Sequence, residues 1–256
     1  MIALITPTGA RQAQFNFCCH FMRRQTYQGP VTWIIVDDTD PRTTDAVGAD
    51  FRPDWTIIKV YPMPPWSGAN TQARNLSCGL DALQANYRNE DIEAVMIIED
   101  DDFYRPVYIE RMLANLKGYW VAGERNTIYY NVVYRNYADN NNRAHSSLFQ
   151  TVFTPESIPI FRSCLPAAFI DAHFFMVMDK AKVNLFNEGT LSIGMKGMPG
   201  RKGIGAGHTR MMRFPHDMDW RFLKSMIGEE DANLYVPYFN GIIKYPTHDI
   251  LTHRRI

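Results

Sequence analysis

The stretch AVMIIEDDDFYRP, residues 94–106, joins a short apolar run to four consecutive acids, Glu99, Asp100, Asp101 and Asp102, with Pro106 following. The apolar part is too short for a helix and has the aliphatic character of a strand buried on both faces of a parallel sheet. Proline suits a first helical turn, where its missing N–H costs nothing. The stretch therefore reads as strand, acidic turn, helix. Working outward, Ile2–Thr6, Val31–Asp38 and Thr56–Tyr61 share the apolar strand character of Ala94–Glu99. Helical patterns fall between and after them, over Ala10–Arg24, Ala69–Tyr87 and Pro106–Leu116. In the second, Ala73, Leu76, Leu80, Leu83 and Tyr87 recur at spacings of three and four and form one apolar stripe. Strands alternating with helices of this length imply right-handed crossovers and an open α/β sheet, mixed but mainly parallel, flanked by helices. Ligands of such sheets bind beyond the carboxyl ends of the strands. Three polar clusters fall there: Thr6-Pro7-Thr8, Asp37-Asp38-Thr39-Asp40 and Glu99–Asp102.

The chain of 256 residues, 46% hydrophobic and 13% aromatic, is long enough to bury a sizeable core in a single domain. Lysine plus arginine equals aspartate plus glutamate at 27 each, so no global field draws it to nucleic acid or an anionic membrane. The four cysteines lack Cys-x-x-Cys spacing, which fits a reducing compartment. The opening Met-Ile-Ala-Leu-Ile reads as a strand and not a signal peptide. No apolar run approaches the roughly 18 residues of a membrane span, and the expected location is the cytoplasm.

Four adjacent carboxylates repel one another and raise each other's pKa unless a cation neutralises them. A hard divalent ion such as Mn²⁺ or Mg²⁺ takes one or two carboxylates and fills its remaining positions with water and phosphate oxygens. The alternative is a solvated acidic turn ahead of the helix at Pro106, where negative charge is favourable in any case.

In their order these features resemble the glycosyltransferases of the GT-A fold, family 2 type. The resemblance rests on Thr6-Pro7-Thr8, on Ile35-Val36-Asp37-Asp38-Thr39-Asp40, on Gly68-Ala69-Asn70 with Ala73-Arg74-Asn75, and on the acidic motif with its proline, and it covers residues 1–117. It implies one GT-A domain over 1–256, with a nucleotide-sugar half at 1–117 and an acceptor half at 118–256. Glu99-Asp100-Asp101 would then be a variant of the Asp-x-Asp motif, with Asp101 on the metal and Glu99 and Asp100 facing the ribose or sugar of the donor. Asp37 or Asp38 would meet the nucleobase, while Thr6, Pro7, Thr8, Arg11, Gly68, Arg74 and Asn75 would line the donor site. The bland reading of Asp37 and Asp38 is a strand-to-turn signal, and that of Arg74 and Asn75 an exposed helix face.

The second half is less regular. Thr127–Tyr137 and Phe169–Met178 read as strands, Asp139–Asn142 as a polar turn and His216–Gly228 as a helix. The glycine-rich stretch with Lys196, Arg201 and Lys202 reads as a mobile loop over 189–215, able to close on a donor diphosphate or to bind an acceptor. Asp217, then Asp219, resemble the family's general base, which accepts the acceptor's proton in inverting members; the bland reading is a helix cap and a first-turn acid. His248 is the candidate for a late histidine ligand to the metal.

The expected activity is thus metal-dependent transfer of a hexosyl or pentosyl group from a nucleotide sugar, taken to be a UDP-sugar, to an acceptor hydroxyl, with inversion. The acceptor is a glycan or a hydroxymethylated DNA base of the phage type. A nucleotidyltransferase of the sugar-nucleotide type is the alternative, disfavoured because Thr8-Gly9-Ala10-Arg11 offers one glycine where such enzymes need a glycine-rich basic turn.

Overall fold

A computed structural model of the chain describes residues 1–44, 47–48, 51–65, 71–199 and 215–241. Its first half is built on β1 (Ile2–Thr8), β2 (Val31–Asp37), β3 (Trp55–Val60) and β4 (Ala94–Ile97), with α1 (Gln12–Arg23) crossing from β1 to β2 and α2 (Gln72–Asn86) from β3 to β4. Strand β1 pairs in parallel with β2 on one side and β4 on the other, in the register Ile5↔Ile34 and Ile5↔Ile97. Alternate residues of β1 serve opposite faces, as the period of two requires. Ile2 and Leu4 pack with Phe15, Phe17 and Phe21 of α1, whereas Ala3 and Ile5 pack with Leu76, Leu80 and Leu83 of α2. Gly79 lets α2 lie close to the sheet: a Cβ there would stand 2.6 Å from Ile5 Cγ2.

Beyond β4 the chain forms β5 (Phe103–Tyr104), α3 (Tyr108–Leu116), β6 (Val121–Glu124), β7 (Asn126–Asn131), β8 (Asn136–Asn141), β9 (Thr151–Phe153), α4 (Ile158–Cys164), α5 (Ile170–Val177), β10 (Val183–Phe186), β11 (Ser192–Lys196), α6 (Arg221–Ile227) and α7 (Glu229–Tyr235). The main sheet has seven strands in the order β10-β6-β9-β4-β1-β2-β3, and β9 is antiparallel to both neighbours. A second sheet, β5-β11-β7-β8, contributes Ile128, Tyr130, Ile193 and Met195 to the core on the α1 face. Among the described residues, no helix is long and apolar enough to cross a membrane.

The structure corrects the reading of the second half in five places. Phe169–Met178 is helical at Ile170–Val177: Ile170, Phe174 and Phe175 are buried while Met176 and Val177 face outward. A short apolar run does not by itself separate helix from strand. Thr127–Tyr137 is not one strand but β7, a turn and the start of β8. Asp139–Asn141, expected as turn, continues β8 at the edge of the second sheet, where backbone pairing with β7 tolerates polar side chains. Within the expected loop 189–215, Ser192–Lys196 is a fully buried strand; residues 200–214 lie outside the described residues. The helix expected over His216–Gly228 begins later, at Arg221, after Trp220 in left-handed conformation with φ 62°.

Candidate functional site

The acids follow β4 directly, and each is held differently. Asp100 is fully enclosed: Thr8 Oγ1 donates to its Oδ2 at 2.6 Å and Arg11 reaches its Oδ1 at 3.2 Å. The same guanidinium lies 2.5 Å from Asp101 Oδ2. Asp102 is buried completely, and its Oδ1 accepts from the Met195 backbone N–H at 2.9 Å. The next residue on β11, Lys196, places Nζ 3.5 Å from Asp102 Oδ1 and 3.7 Å from Asp101 Oδ2. Glu99 accepts from Gln72 Nε2 at 2.7 Å, and its backbone N–H donates to the Tyr104 hydroxyl at 2.8 Å.

Glu99, Asp101 and Asp102 each bring a carboxylate oxygen within 4.8 Å of the other two. Oδ2 of Asp102 is buried and has no hydrogen-bond partner among the described residues. A buried carboxylate oxygen left unpaired is costly, and a divalent ion with three oxygen ligands is a chemical match for this set. Burial raises the pKa of Glu99 to about 7, Asp101 and Asp171 adding to the rise while Lys196 and Arg11 oppose it. Burial also pushes the Asp102 carboxyl well above the usual carboxylate range, against the pull of Lys196. Burial disfavours the Lys196 ammonium, but Asp101, Asp102 and Glu99 outweigh it and the group holds its proton more tightly than usual.

No family model matches the chain and no curated protein does. Solved structures do. The mannosyltransferase PcManGT from Pyrobaculum calidifontis, determined in complex with GDP-Man and Mn²⁺, aligns with a TM-score of 0.55 at 15% identity, over 77% of this chain and 57% of that one. TarS 1–349 from S. aureus aligns with a TM-score of 0.52 at 10% identity, over 76% of this chain and 60% of that one. The fold is GT-A. At such identities the likeness is one of architecture, and the chain spans less than two thirds of the length of either neighbour.

In this GT-A sheet, β1, β2 and β4 bring their carboxyl ends together, and several expected site residues meet there. Thr8, Arg11, Asp100, Asp101 and Glu99 form one connected cluster. Asp38 lies beside it, its backbone N–H donating to Thr8 O at 3.4 Å and its carboxylate accepting from Thr71 Oγ1. Asn75 is buried rather than on an exposed face, and its Nδ2 donates to Thr8 O at 3.4 Å. Other candidates are turned to internal tasks. Thr6 is buried and accepts from Trp33 Nε1 at 2.8 Å. Asp37 accepts from the backbone N–H groups of Thr39, Thr43 and Thr44 and from the hydroxyls of Thr39 and Thr43, so both its oxygens hold the loop after β2. Arg74 donates to Pro64 O at 2.5 Å, and Pro7 is half-buried on β1. Gly68 and His248 lie outside the described residues.

Asp217 is buried and carries three donors: Tyr130 Oη at 3.0 Å, and the backbone N–H groups of Phe222 at 2.9 Å and Leu223 at 3.0 Å. The last two belong to the first turn of α6, so the carboxylate sits where a helix cap sits. Asp219 is exposed and pairs with Arg221 at 2.7 Å. Sequence reasoning missed Asp102 as a ligand, Gln72 as a partner of Glu99 and Lys196 as the cation facing Asp101 and Asp102. Asp102 had a signal, its place in the acidic run; Gln72 had none, because the contact joins the start of α2 to the residues after β4, 27 positions along the chain.

Proposed function

We propose that the chain is a metal-dependent glycosyltransferase that binds a nucleotide sugar at the carboxyl ends of β1, β2 and β4 and transfers the sugar to an acceptor hydroxyl. One observation carries the reading: Glu99, Asp101 and Asp102 converge within 4.8 Å, with a buried Asp102 oxygen that has no partner among the described residues, at the ligand-binding end of a GT-A sheet. The three would hold Mn²⁺ or Mg²⁺, which supplies positive charge against a diphosphate leaving group. Asp100 is locked by Thr8 and Arg11 and serves to orient Arg11, whose guanidinium has the planar fork suited to phosphate oxygens. Asp38, next to the carboxyl end of β1, would meet the nucleoside. The GDP-Man and Mn²⁺ held by the mannosyltransferase of like fold support the same ligand class here. The donor expected from the sequence is a UDP-sugar.

An inverting course needs a base with room for a proton. Asp217 has three donors on its carboxylate, which favours capping over proton removal, and Asp219 is exposed and ion-paired with Arg221.

The test is a thermal-shift panel of UDP- and GDP-sugars with and without Mn²⁺. At least one nucleotide should raise Tm only when Mn²⁺ is present, and both Asp101→Ala and Asp102→Asn should remove that increment. A ligand of affinity Kd present at a hundredfold excess over Kd stabilises by about 2.7 kcal/mol, well within reach of the assay. A metal-independent shift, or none for any nucleotide, would overturn the proposal.

A further inference from the structure

Lys196 is a buried ammonium, 7% exposed, set on β11 by the two-sided pairing of that strand with β5 and β7. Its carboxylate neighbours are residues a metal ion would need: it faces Asp101 Oδ2 and Asp102 Oδ1, and these two residues with Glu99 make the carboxylate triad. At 3.7 and 3.5 Å the contacts are ion pairs longer than the usual N–H···O range of about 2.7–3.2 Å, so little directional bonding is lost on breaking them. A divalent ion and the ammonium repel when they share ligands. Displaced from the carboxylates, Lys196 would still be a buried charge, and such a charge is strongly penalised unless another anion meets it. Its flexible four-carbon stem allows a short swing, and the Tyr129 ring, its centroid 5.5 Å from Nζ, offers an electron-rich face close by. Gly194 makes room for that ring: a Cβ there would stand 2.4 Å from Tyr129 Cδ1.

We infer that Lys196 is a displaceable counter-ion, which holds Asp101 and Asp102 together before metal binds, is released by the metal, and then pairs with the diphosphate of the donor. The inference rests on the proposed metal and nucleotide site and adds to it a coupling: metal and diphosphate each favour the other through one lysine. Metal alone binds against the ammonium, whereas metal with diphosphate binds with its help.

The experiment is a Mn²⁺ titration followed by electron paramagnetic resonance of the free ion, on wild type, Lys196→Met and Lys196→Arg, first without nucleotide and then with UDP or GDP. Removing a positive charge this close to the ligands should tighten Mn²⁺ binding alone by on the order of tenfold in Lys196→Met. The same variant should lose most of the enhancement of nucleoside diphosphate binding by Mn²⁺, and Lys196→Arg should keep it. A purely structural lysine would give the opposite sign, with both ligands weakened together. Circular dichroism checks the fold, and Lys196→Gln replaces Lys196→Met if the latter does not fold. Wild-type binding of Mn²⁺ with unchanged or weaker binding in the folded variant overturns this inference alone. Failure of wild type to bind Mn²⁺ at all overturns the proposed function along with it.

Discussion

At the residue scale, the acidic run is not a uniform patch of charge, because its carboxylates are held by different sets of partners. Thr8 and Arg11 hold Asp100, Met195 N–H holds Asp102, and Gln72 holds Glu99. Lys196 and Arg11 supply part of the neutralisation for which the sequence reading looked first to a metal ion. The consequence can be measured through pH. Glu99 has a folded-state pKa of about 7 against an ordinary 4.5, so between these values the folded chain binds more protons than the unfolded one. Stability from this group is therefore full below about pH 4.5 and is lost as pH rises through about 7. A divalent ion binds the deprotonated carboxylate and should offset the loss. The Tm increment from Mn²⁺ is expected to be small at pH 5.5 and large at pH 8, and Glu99→Gln should flatten the metal-free profile over this range. A Mn²⁺ increment independent of pH would contradict the assignment of Glu99 to the triad.

At the element scale, the parallel half was legible because each strand is a short aliphatic run between helical stripes, and the boundaries moved by only a few residues. The glycine-rich stretch was not legible in this way. Ser192–Lys196 becomes a strand because buried Glu124 accepts from the backbone N–H groups of Glu188, Thr190 and Leu191, at 3.3, 2.7 and 2.6 Å, and so aims the chain into the gap between β5 and β7. Neither the carboxylate nor the gap is local to the stretch. Asp217 shows the same limit in reverse, since an Asp ahead of a helix reads equally as base or cap until its donors are seen. Loss of the α6 cap in Asp217→Ala should cost about 1–2 kcal/mol in urea unfolding. Donor affinity should stay unchanged. If Asp217→Asn folds normally yet loses transfer by several orders of magnitude, the carboxylate is the base after all and the capping account is incomplete.

At the scale of the whole molecule, equal numbers of acidic and basic residues argue against a protein that tracks nucleic acid through its backbone charge. Passage through heparin at low salt is the expected behaviour, whereas retention beyond about 0.2 M salt would reveal a concentrated basic surface and favour a DNA acceptor over a glycan. The sequence by itself determined the α/β class, the order of the first four strands and helices and the place of the acidic run at a strand end, because side-chain periodicity and turn chemistry are local properties. Only the tertiary structure decided which acids form the triad, that Asp37 and Thr6 serve the interior, and that a lysine 94 residues from Asp102 faces it. The last of these depends on β11 entering a second sheet against β5, and a pairing between strands so distant along the chain leaves no periodic mark in either one.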